Sequence, residues 1–338
     1  MARTLPAVQE IVRGAARRLT GADGATFVLR DDDMCVYADE DAIEPLWKGQ
    51  RFPMSACVSG WSMIHATPVV IPDIYVDDRI PHDAYRPTFV KSLVMVPIRR
   101  AAPIGAIGAY WAQHHEATDE QVVVLQALAD STSIAIDRIQ VVDELADARQ
   151  ETLIFLARAT EQRDDMTFHH TERVGRLAAR LAEVLGQPDE EVEILRLAAP
   201  LHDIGKLSLS DDILLKPGRL TPGELARMQE HTVAGARMLD GSRSAVLRAA
   251  QEIALSHHER WDGNGYPHRL REDDIPLRGR IVAVADVFDA LTHRRPYKPA
   301  WPLDDAIAEI RRQRAVQFDP AVVEAFLGLD RDAFDTDG

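Results

Sequence analysis

Hydrophobic and polar positions follow two different patterns along the chain. Residues 7–19 have the spacing of an amphipathic helix, and after them Gly, Pro and Asp residues separate short apolar runs. The clearest of these runs are residues 25–30, 68–71, 92–99 and 104–111. After residue 150, apolar positions recur with the 3.6-residue period of α-helices. The pattern predicts an α+β part at the N-terminus and an all-α helical bundle at the C-terminus.

A long connecting helix is predicted between the two parts. It begins at Thr118, which has the spacing of a capping box with Gln121, and the next Gly or Pro in the chain is Gly175. Near-heptad spacing predicts that this helix pairs with a copy of itself in a homodimer. The apolar residues with this spacing are Leu125, Leu128, Ala135, Ile139, Val142, Ala146, Leu153 and Leu156. The alternative is two ordinary helices joined by a tight turn near Arg149.

Length, composition and charge exclude several classes of function. The 338 residues suffice for two globular domains, and a content of 46% hydrophobic and 28% charged residues is typical of soluble proteins. The net charge of −15 disfavours binding to duplex nucleic acid, which the surface would repel. The sequence has no apolar run long enough to span a membrane, no secretory signal and two cysteines, Cys35 and Cys57. We therefore expect a cytoplasmic protein that does not bind membranes.

Residues able to bind metal concentrate in the C-terminal part. Eight of the twelve histidines lie between His169 and His293, among Asp and Glu residues. Imidazole and carboxylate ligands together suit divalent manganese, iron, zinc or nickel. Helices can direct such ligands into the core of a bundle.

The candidate ligands lie in or at the ends of predicted helices. One helix ends at the His202–Asp203 pair and another at the His257–His258 pair. His231 lies inside a helix predicted for residues 221–239, and Asp286 lies in an apolar run, where an unpaired charge is unfavourable. Taken singly, His231 fits an ordinary surface or core histidine, and Asp286 fits a polar residue in helix packing. Further motifs are needed to favour a metal site.

Six motifs follow one another in the C-terminal part. They are RDDMTFHHTERV (163–174), LHDIGK (201–206), MQEH (228–231), HHERWDGNGYP (257–267), RIVAVAD (280–286) and RPYK (295–298). Their order and spacing closely resemble those of the HD-GYP family, a branch of the HD phosphohydrolase superfamily that degrades the bacterial second messenger cyclic di-GMP. The resemblance covers about residues 150–328.

The resemblance implies a site for two divalent transition-metal ions, with iron or manganese favoured and zinc or nickel also compatible. The implied ligands shared by the superfamily are His170, His202, Asp203 and Asp286. The implied ligands that complete the second site are His231, His257 and His258, with Asp203 bridging both ions. In some relatives a Glu one turn before the first ligand recruits a third ion. The corresponding residue here is Met166, which favours two ions.

Catalytic and substrate-binding roles are also implied by the resemblance. Asp203 and Lys206 are the implied catalytic residues, and Lys206 is expected to donate to a phosphate oxygen, unless it is an ordinary surface lysine. The implied substrate contacts are Lys206, Gly265, Tyr266, Pro267, Arg295 and Lys298. Glu259 and Asp262 are expected to hold the loop of Gly265 or to orient the ligating histidines.

The N-terminal part resembles a GAF domain, a small-molecule sensing and dimerisation module. The resemblance rests on residues 69–74, 94–98 and 104–108 and on the helix that starts at Thr118. It implies an unknown small-molecule ligand. We therefore predict three parts, namely a GAF-like domain in residues 1–140, a linker helix in residues 141–165 and an HD-GYP metal-dependent phosphohydrolase domain in residues 150–338.

The function implied by these resemblances is hydrolysis of cyclic di-GMP under regulation by the GAF domain. The first cut gives linear pGpG, and a second cut gives GMP. Two alternatives remain open. One is a hydrolase of another cyclic dinucleotide, and the other is a catalytically slow cyclic di-GMP receptor that acts through protein partners.

Overall fold

The computed structural model describes residues 4–163, 169–294, 299–331 and 334. The chain divides into two compact units, Met1–Ala146 and Asp147–Gly338, and each has its own hydrophobic core. The first unit is α+β and the second is helical, as the sequence pattern predicts. Among the described helices, none combines the length and the hydropathy that a membrane span needs.

Residues 4–146 contain an antiparallel sheet with the strand order β3-β2-β1-β6-β5-β4. Its strands are β1 (Gly24–Asp31), β2 (Met34–Ala42), β3 (Arg51–Pro53), β4 (Val69–Ile71), β5 (Ser92–Ile98) and β6 (Gly105–Trp111). The apolar runs in the sequence predict β1, β4, β5 and β6, and these four strands are confirmed.

The sequence pattern does not predict β2 and β3, because acidic residues conceal the alternation of β2 and because β3 is only three residues long. The structure gives these acidic residues partners. Asp39 forms ion pairs with Arg13 and Lys48. Glu40 accepts the backbone N–H groups of residues 46–48. The carboxylates therefore fix the connection after β2.

Helices cover both faces of this sheet. On one face, α1 (Leu5–Thr20) and the first part of a long helix pack against Phe27 and Ile107. On the other face, α2 (Val58–His65) packs near Tyr110. A short helix, α3 (His82–Tyr85), lies between β4 and β5.

The long helix, α4 (Asp119–Arg163), is continuous over 45 residues, so the alternative of two helices is wrong. Thr118 Oγ1 accepts the Gln121 N–H and Gln121 Oε1 accepts the Thr118 N–H, which confirms the capping box. Leu125 is buried in the core of the first unit, whereas residues 141–149 are exposed. The prediction that the heptad-spaced residues pair with a second copy is therefore wrong at the beginning of the helix, where α4 packs on its own sheet.

The described part of the second unit is helical and contains the C-terminal end of α4. The further helices are α5 (His170–Val184), α6 (Asp189–Ala198), α7 (Asp211–Leu214), α8 (Pro222–Gln229), α9 (His231–Met238), α10 (Ala245–Ser256), α11 (Leu277–Thr292), α12 (Leu303–Arg312) and α13 (Pro320–Leu327). Short 3₁₀ turns lie at Ala199–Leu201, Ile204–Ser208 and Glu272–Asp274. The core packs α5, α6, α10 and α11 together around residues such as Leu181, Ile253 and Val282.

The helix predicted for residues 221–239 is wrong in one respect, because it is divided into α8 and α9 at Glu230. The His231 ring bonds to Met228 O, and the Thr232 hydroxyl donates to Gln229 O. These side chains therefore compete with backbone N–H groups for the carbonyls of a continuous helix. As a result, His231 begins a helix instead of lying within one.

Burial in the core of the second unit predicts unequal effects for two substitutions in α5. Leu181→Ala removes a fully buried side chain and should lower the free energy of unfolding by about 2–5 kcal/mol. Val184→Ala is the matched control, because Val184 is 52% exposed, and it should change that free energy by less than about 0.5 kcal/mol. Urea unfolding followed by circular dichroism measures both values. Equal shifts would contradict the assignment of this core.

Candidate metal centre

Five separate segments of the second unit bring the candidate ligands together. These are the beginning of α5 with His170, the turn after α6 with His202 and Asp203, the beginning of α9 with His231, the end of α10 with His257 and His258, and the middle of α11 with Asp286. Because helix ends carry most of them, short side chains can reach a common centre from different directions.

The ligand atoms form two adjacent groups. One group contains His170, His202 and Asp286, and the other contains Asp203, His231, His257 and His258. Within each group, all ligand atoms lie within 4.8 Å of one another. The structure therefore brings together all seven ligands that the family resemblance implies.

Asp203 faces both groups with different oxygens. Its Oδ2 lies 3.3 Å from His202 Nε2 in the first group. Its Oδ1 lies 3.3 Å from His231 Nε2 and 3.7 Å from His257 Nε2 in the second group. In the first group, Asp286 Oδ1 lies 3.4 Å from His170 Nε2. One carboxylate can therefore contact two cations at once.

Hydrogen bonds at Nδ1 orient four of the imidazoles. His202 Nδ1 lies 2.9 Å from Ala199 O, His231 Nδ1 2.7 Å from Met228 O, and His257 Nδ1 3.0 Å from Ile253 O. A carbonyl can only accept, so Nδ1 carries the hydrogen and Nε2 of the neutral ring carries a lone pair. In their neutral forms, all three rings direct this lone pair toward the centre, and a protonated ring must lose its Nε2 hydrogen before it can bind a metal.

The fourth imidazole, His170, is held by Asp289, a residue that the sequence reasoning missed. His170 Nδ1 donates to Asp289 Oδ2 over 2.5 Å, and Arg173 donates to both oxygens of this carboxylate. Burial raises the pKa of Asp289, but the bonds from His170 and Arg173 outweigh burial and lower it to about 2. Asp289 therefore stays ionised. Its position one turn after Asp286 on α11 is the signal that could have identified it.

Charges in the centre favour cation binding, and they divide the imidazoles into neutral and protonated rings. Burial lowers the pKa of His257 and, further, that of His258, so both rings are neutral. Burial also lowers the pKa of His202, but Asp203 and Asp286 outweigh it and raise the value to about 9. Burial raises the pKa of Asp203, whereas Lys206 and His202 hold it well below its usual range. The ionised carboxylates therefore attract positive charge.

These residues fit a pair of divalent cations. The Nε2 atoms of His170, His202, His231 and His257 and the Oδ1 atom of Asp203 are buried and have no hydrogen-bond partner in the described part of the chain. Buried polar atoms are rarely left without a partner, because their desolvation is unfavourable. Nitrogen lone pairs that face carboxylate oxygens instead match the ligand set of a borderline divalent metal.

Of the two adjacent histidines at the start of α5, only His170 lies in the centre. His170 is 2% exposed, whereas the His169 side chain is 53% exposed and approaches Glu172 at 3.7 Å. His169 has a φ of 83° and precedes the first helical residue.

Lys206 lies one turn after Asp203, with its Nζ 2.7 Å from Asp203 Oδ2.

The loop after α10 borders the centre. The Tyr266 ring stacks on the His258 ring at 4.7 Å, and Pro267 follows through a cis peptide bond. A Cβ on Gly265 would lie 2.4 Å from Arg260 N, so this position requires glycine because of close packing.

The two acidic residues near this loop hold it and do not contact a histidine ring nitrogen in the described structure. Glu259 accepts the N–H groups of His268 and Leu270 at 2.7 and 3.0 Å. Asp262 accepts the Asn264 N–H at 2.9 Å and pairs with Arg260. Of the two roles expected for these residues, the geometry matches the holding of the loop. Met166, Arg295 and Lys298 lie outside the described residues.

The contact between Asp289 and His170 predicts a selective effect on metal binding. Asp289→Asn keeps one oxygen acceptor for His170 Nδ1 but removes the negative charge that strengthens this bond and pairs with Arg173, so one of two metal-binding events should weaken about 10- to 100-fold. Calorimetric titration of chelator-treated protein with Mn²⁺ measures both events. Asp304→Asn is the matched control, because Asp304 is an exposed partner of Arg331. Unchanged binding in Asp289→Asn would contradict this role.

Comparison with known proteins agrees with this geometry. A family model described as an HD domain matches residues 155–322, and one described as a GAF domain matches residues 2–137. A cyclic di-GMP phosphodiesterase of Thermotoga maritima is 50% identical over 192 residues, which are 57% of this chain and 52% of that protein. A 3'3'-cGAMP-specific phosphodiesterase of Vibrio cholerae is 40% identical over 60% of this chain and 39% of that protein.

The similarity extends into the first unit for a cyclic di-GMP phosphodiesterase of Pseudomonas aeruginosa, which is 33% identical over 85% of this chain and 65% of that protein. The chain spans about half the length of curated relatives that it matches. These matches confirm the resemblance drawn from the motifs. The chain therefore carries an HD domain, whose motifs resemble those of the HD-GYP branch, and a GAF domain before it.

Proposed function

We propose that the HD domain is a metal-dependent phosphodiesterase that hydrolyses cyclic di-GMP to pGpG, GMP or both, under regulation by the GAF domain. The observation that carries this proposal is the pair of inward-facing ligand groups that meet at the two oxygens of Asp203. The names of the relatives support cyclic di-GMP as the substrate.

Two divalent transition-metal ions are the proposed cofactors, with iron or manganese preferred over zinc or nickel. The proposed ligands are His170, His202 and Asp286 for one ion, His231, His257 and His258 for the other, and Asp203 for both. When bound, such ions acidify a water molecule, orient it toward phosphorus and neutralise the phosphoryl oxygens.

Lys206 is proposed to bind a phosphoryl oxygen of the substrate. Its ammonium group contacts Asp203 and lines the same small cavity as His170 and Asp203. An ammonium group has three N–H donors, so Lys206 can remain paired with Asp203 while it donates to a phosphate. Asp203 is proposed as the central catalytic residue, because its two oxygens face the two ligand groups.

The loop that contains Gly265, Tyr266 and Pro267 is proposed to form one wall of the substrate cleft. Burial raises the pKa of Tyr266, so its hydroxyl stays protonated and can donate a hydrogen bond to the substrate. Arg295 and Lys298 are proposed to contact phosphate or guanine, which the guanidinium of arginine can bind through two parallel hydrogen bonds.

A second candidate substrate is a mixed cyclic dinucleotide. The observation that favours it is the Vibrio cholerae relative, whose name specifies 3'3'-cGAMP. Both substrates contain two phosphodiester bonds, so the metal centre alone does not discriminate between them. The discrimination is expected from side chains that contact the bases.

Replacement of Asp203 tests the proposed mechanism. Asp203→Ala should lower the turnover of cyclic di-GMP on the order of 100-fold or more and reduce the bound metal, because it removes the ligand that both groups share. Product analysis by chromatography, with parallel metal analysis, measures both effects for cyclic di-GMP and 3'3'-cGAMP. The control is Asp212→Ala on an exposed part of α7.

Full turnover in Asp203→Ala would refute the mechanism. Faster turnover of 3'3'-cGAMP than of cyclic di-GMP by the natural sequence would select the second substrate. Tight binding of cyclic di-GMP without turnover by the metal-loaded natural sequence would identify a receptor.

The GAF domain is proposed to bind an unidentified small molecule and to act with α4 as a homodimer. Exposed apolar side chains support the dimer, since Val141, Val142 and Leu145 are 61%, 57% and 49% exposed on α4. Such a cluster is unfavourable in water unless a partner covers it.

A cytoplasmic location is proposed because Cys35 and Cys57 are free thiols.

A double substitution on α4 tests the dimer. Val141→Glu with Leu145→Glu places charges in the proposed interface and should convert a dimer into a monomer, with the molar mass measured by light scattering after size exclusion. Arg149→Glu is the control, because it changes a charge at another exposed position of the same helix. A natural sequence that is already a monomer, or a double variant that remains a dimer, would refute this interface.

A further inference from the structure

Among the described residues, the one at the N-cap of α5 gives the first turn of this helix no side-chain cap. His169 occupies the N-cap position with a positive φ of 83°, and its side chain does not accept a hydrogen bond from the helix. The first N–H groups of a helix have no partner within the helix and normally bond to a side chain or to water. This turn contains the ligand His170, so its stability bears directly on the metal centre.

The missing cap comes from α4. The Thr171 N–H donates to Glu161 Oε1 over 2.5 Å, and Glu161 is 5% exposed. A carboxylate at a helix N-terminus is favoured by the partial positive charge of that end. The other oxygen of Glu161 is buried without a hydrogen-bond partner in the described part of the chain. Glu161 also lines the cavity that His170, Asp203 and Lys206 line.

Two arginines on the same end of α4 hold the neighbouring segments. Arg158 donates twice to Glu172 of α5, at 2.9 and 2.5 Å. Arg163 donates to the carbonyls of Leu207 and Leu209, at 2.7 and 2.9 Å, just after the turn of Asp203 and Lys206. The end of α4 therefore contacts the segment that carries His170 and the segment that carries His202 and Asp203.

We propose that Glu161 is a positioning residue of the metal centre, which sets the location of His170 by capping α5 from the connecting helix. The inference rests on the proposed metal site, but it does not depend on the substrate. Glu161 therefore connects the C-terminal end of α4 to the first turn of the helix that carries His170.

The test compares Glu161→Ala and Glu161→Gln with the control Glu151→Ala, which removes an exposed carboxylate from the same helix. Calorimetric titration of chelator-treated protein with Mn²⁺ reports the two binding events separately. In Glu161→Ala, one event should weaken about 10- to 100-fold and the other should stay within about 3-fold. Glu161→Gln retains an oxygen acceptor and should recover most of the affinity. Hydrogen exchange at the Thr171 amide should accelerate in Glu161→Ala alone.

Three results would overturn the inference. They are unchanged binding at both sites in Glu161→Ala, equal loss at both sites with a general fall in thermal stability, and failure of Glu161→Gln to recover affinity beyond that of Glu161→Ala. If Glu161→Ala does not fold, metal affinity and hydrogen exchange are compared between Glu161→Gln and Glu151→Ala. Faster exchange of the Thr171 amide in Glu161→Gln than in the natural sequence would then refute the expectation that Gln retains the cap. If the natural sequence does not turn over cyclic di-GMP, the proposed function is refuted. If Glu161→Ala also loses metal selectively at one site, the present inference is still supported.

Discussion

The second unit depends on one constraint, which is that imidazole Nε2 atoms face carboxylate oxygens in a buried site. His231 Nε2 lies 3.3 Å from Asp203 Oδ1, and His170 Nε2 lies 3.4 Å from Asp286 Oδ1. Each ring has its Nδ1 hydrogen engaged elsewhere, so in the neutral ring Nε2 presents a lone pair to the carboxylate oxygen. A divalent cation held by both atoms would supply the positive charge that such a pair of acceptors lacks. The helix ends, the orienting carbonyls and Asp289 are all arranged to hold this otherwise unfavourable geometry.

Backbone contacts between distant segments keep the ligands in register. A Cβ on Gly205, in the turn after Asp203, would lie 1.9 Å from His231 O, so this turn packs directly on the start of α9. Gly265 packs in the same manner against the backbone beyond His258. Glycine is required at both places because backbone meets backbone, and not because of a positive φ. These contacts connect ligands of both groups through stiff parts of the chain.

Local features of the sequence predict much of this fold. The capping box predicted for Thr118 is present in the structure, and the caps that the structure shows at Thr221 and Asp319 are equally local. Longer-range features are less accessible. Strand β2 is hidden because the partners of its acidic residues come from α1 and from a later loop. The division of α8 from α9 is hidden because the side chain of His231 takes a helix carbonyl that an apolar pattern cannot reveal.

The sequence by itself determined the order of the domains, the starts of α4 and α8 and the motifs that bear all seven implied ligands. These features depend on residues a few positions apart, whose spacing encodes their contacts. Only the tertiary structure decided how the oxygens of Asp203 divide between two groups, which residue orients His170 and what caps its helix. His170 and Asp289 are 119 positions apart in the chain, and Arg173 and Asp289 are 116 apart. Such contacts follow from the packing of helices against one another, which sequence spacing does not record.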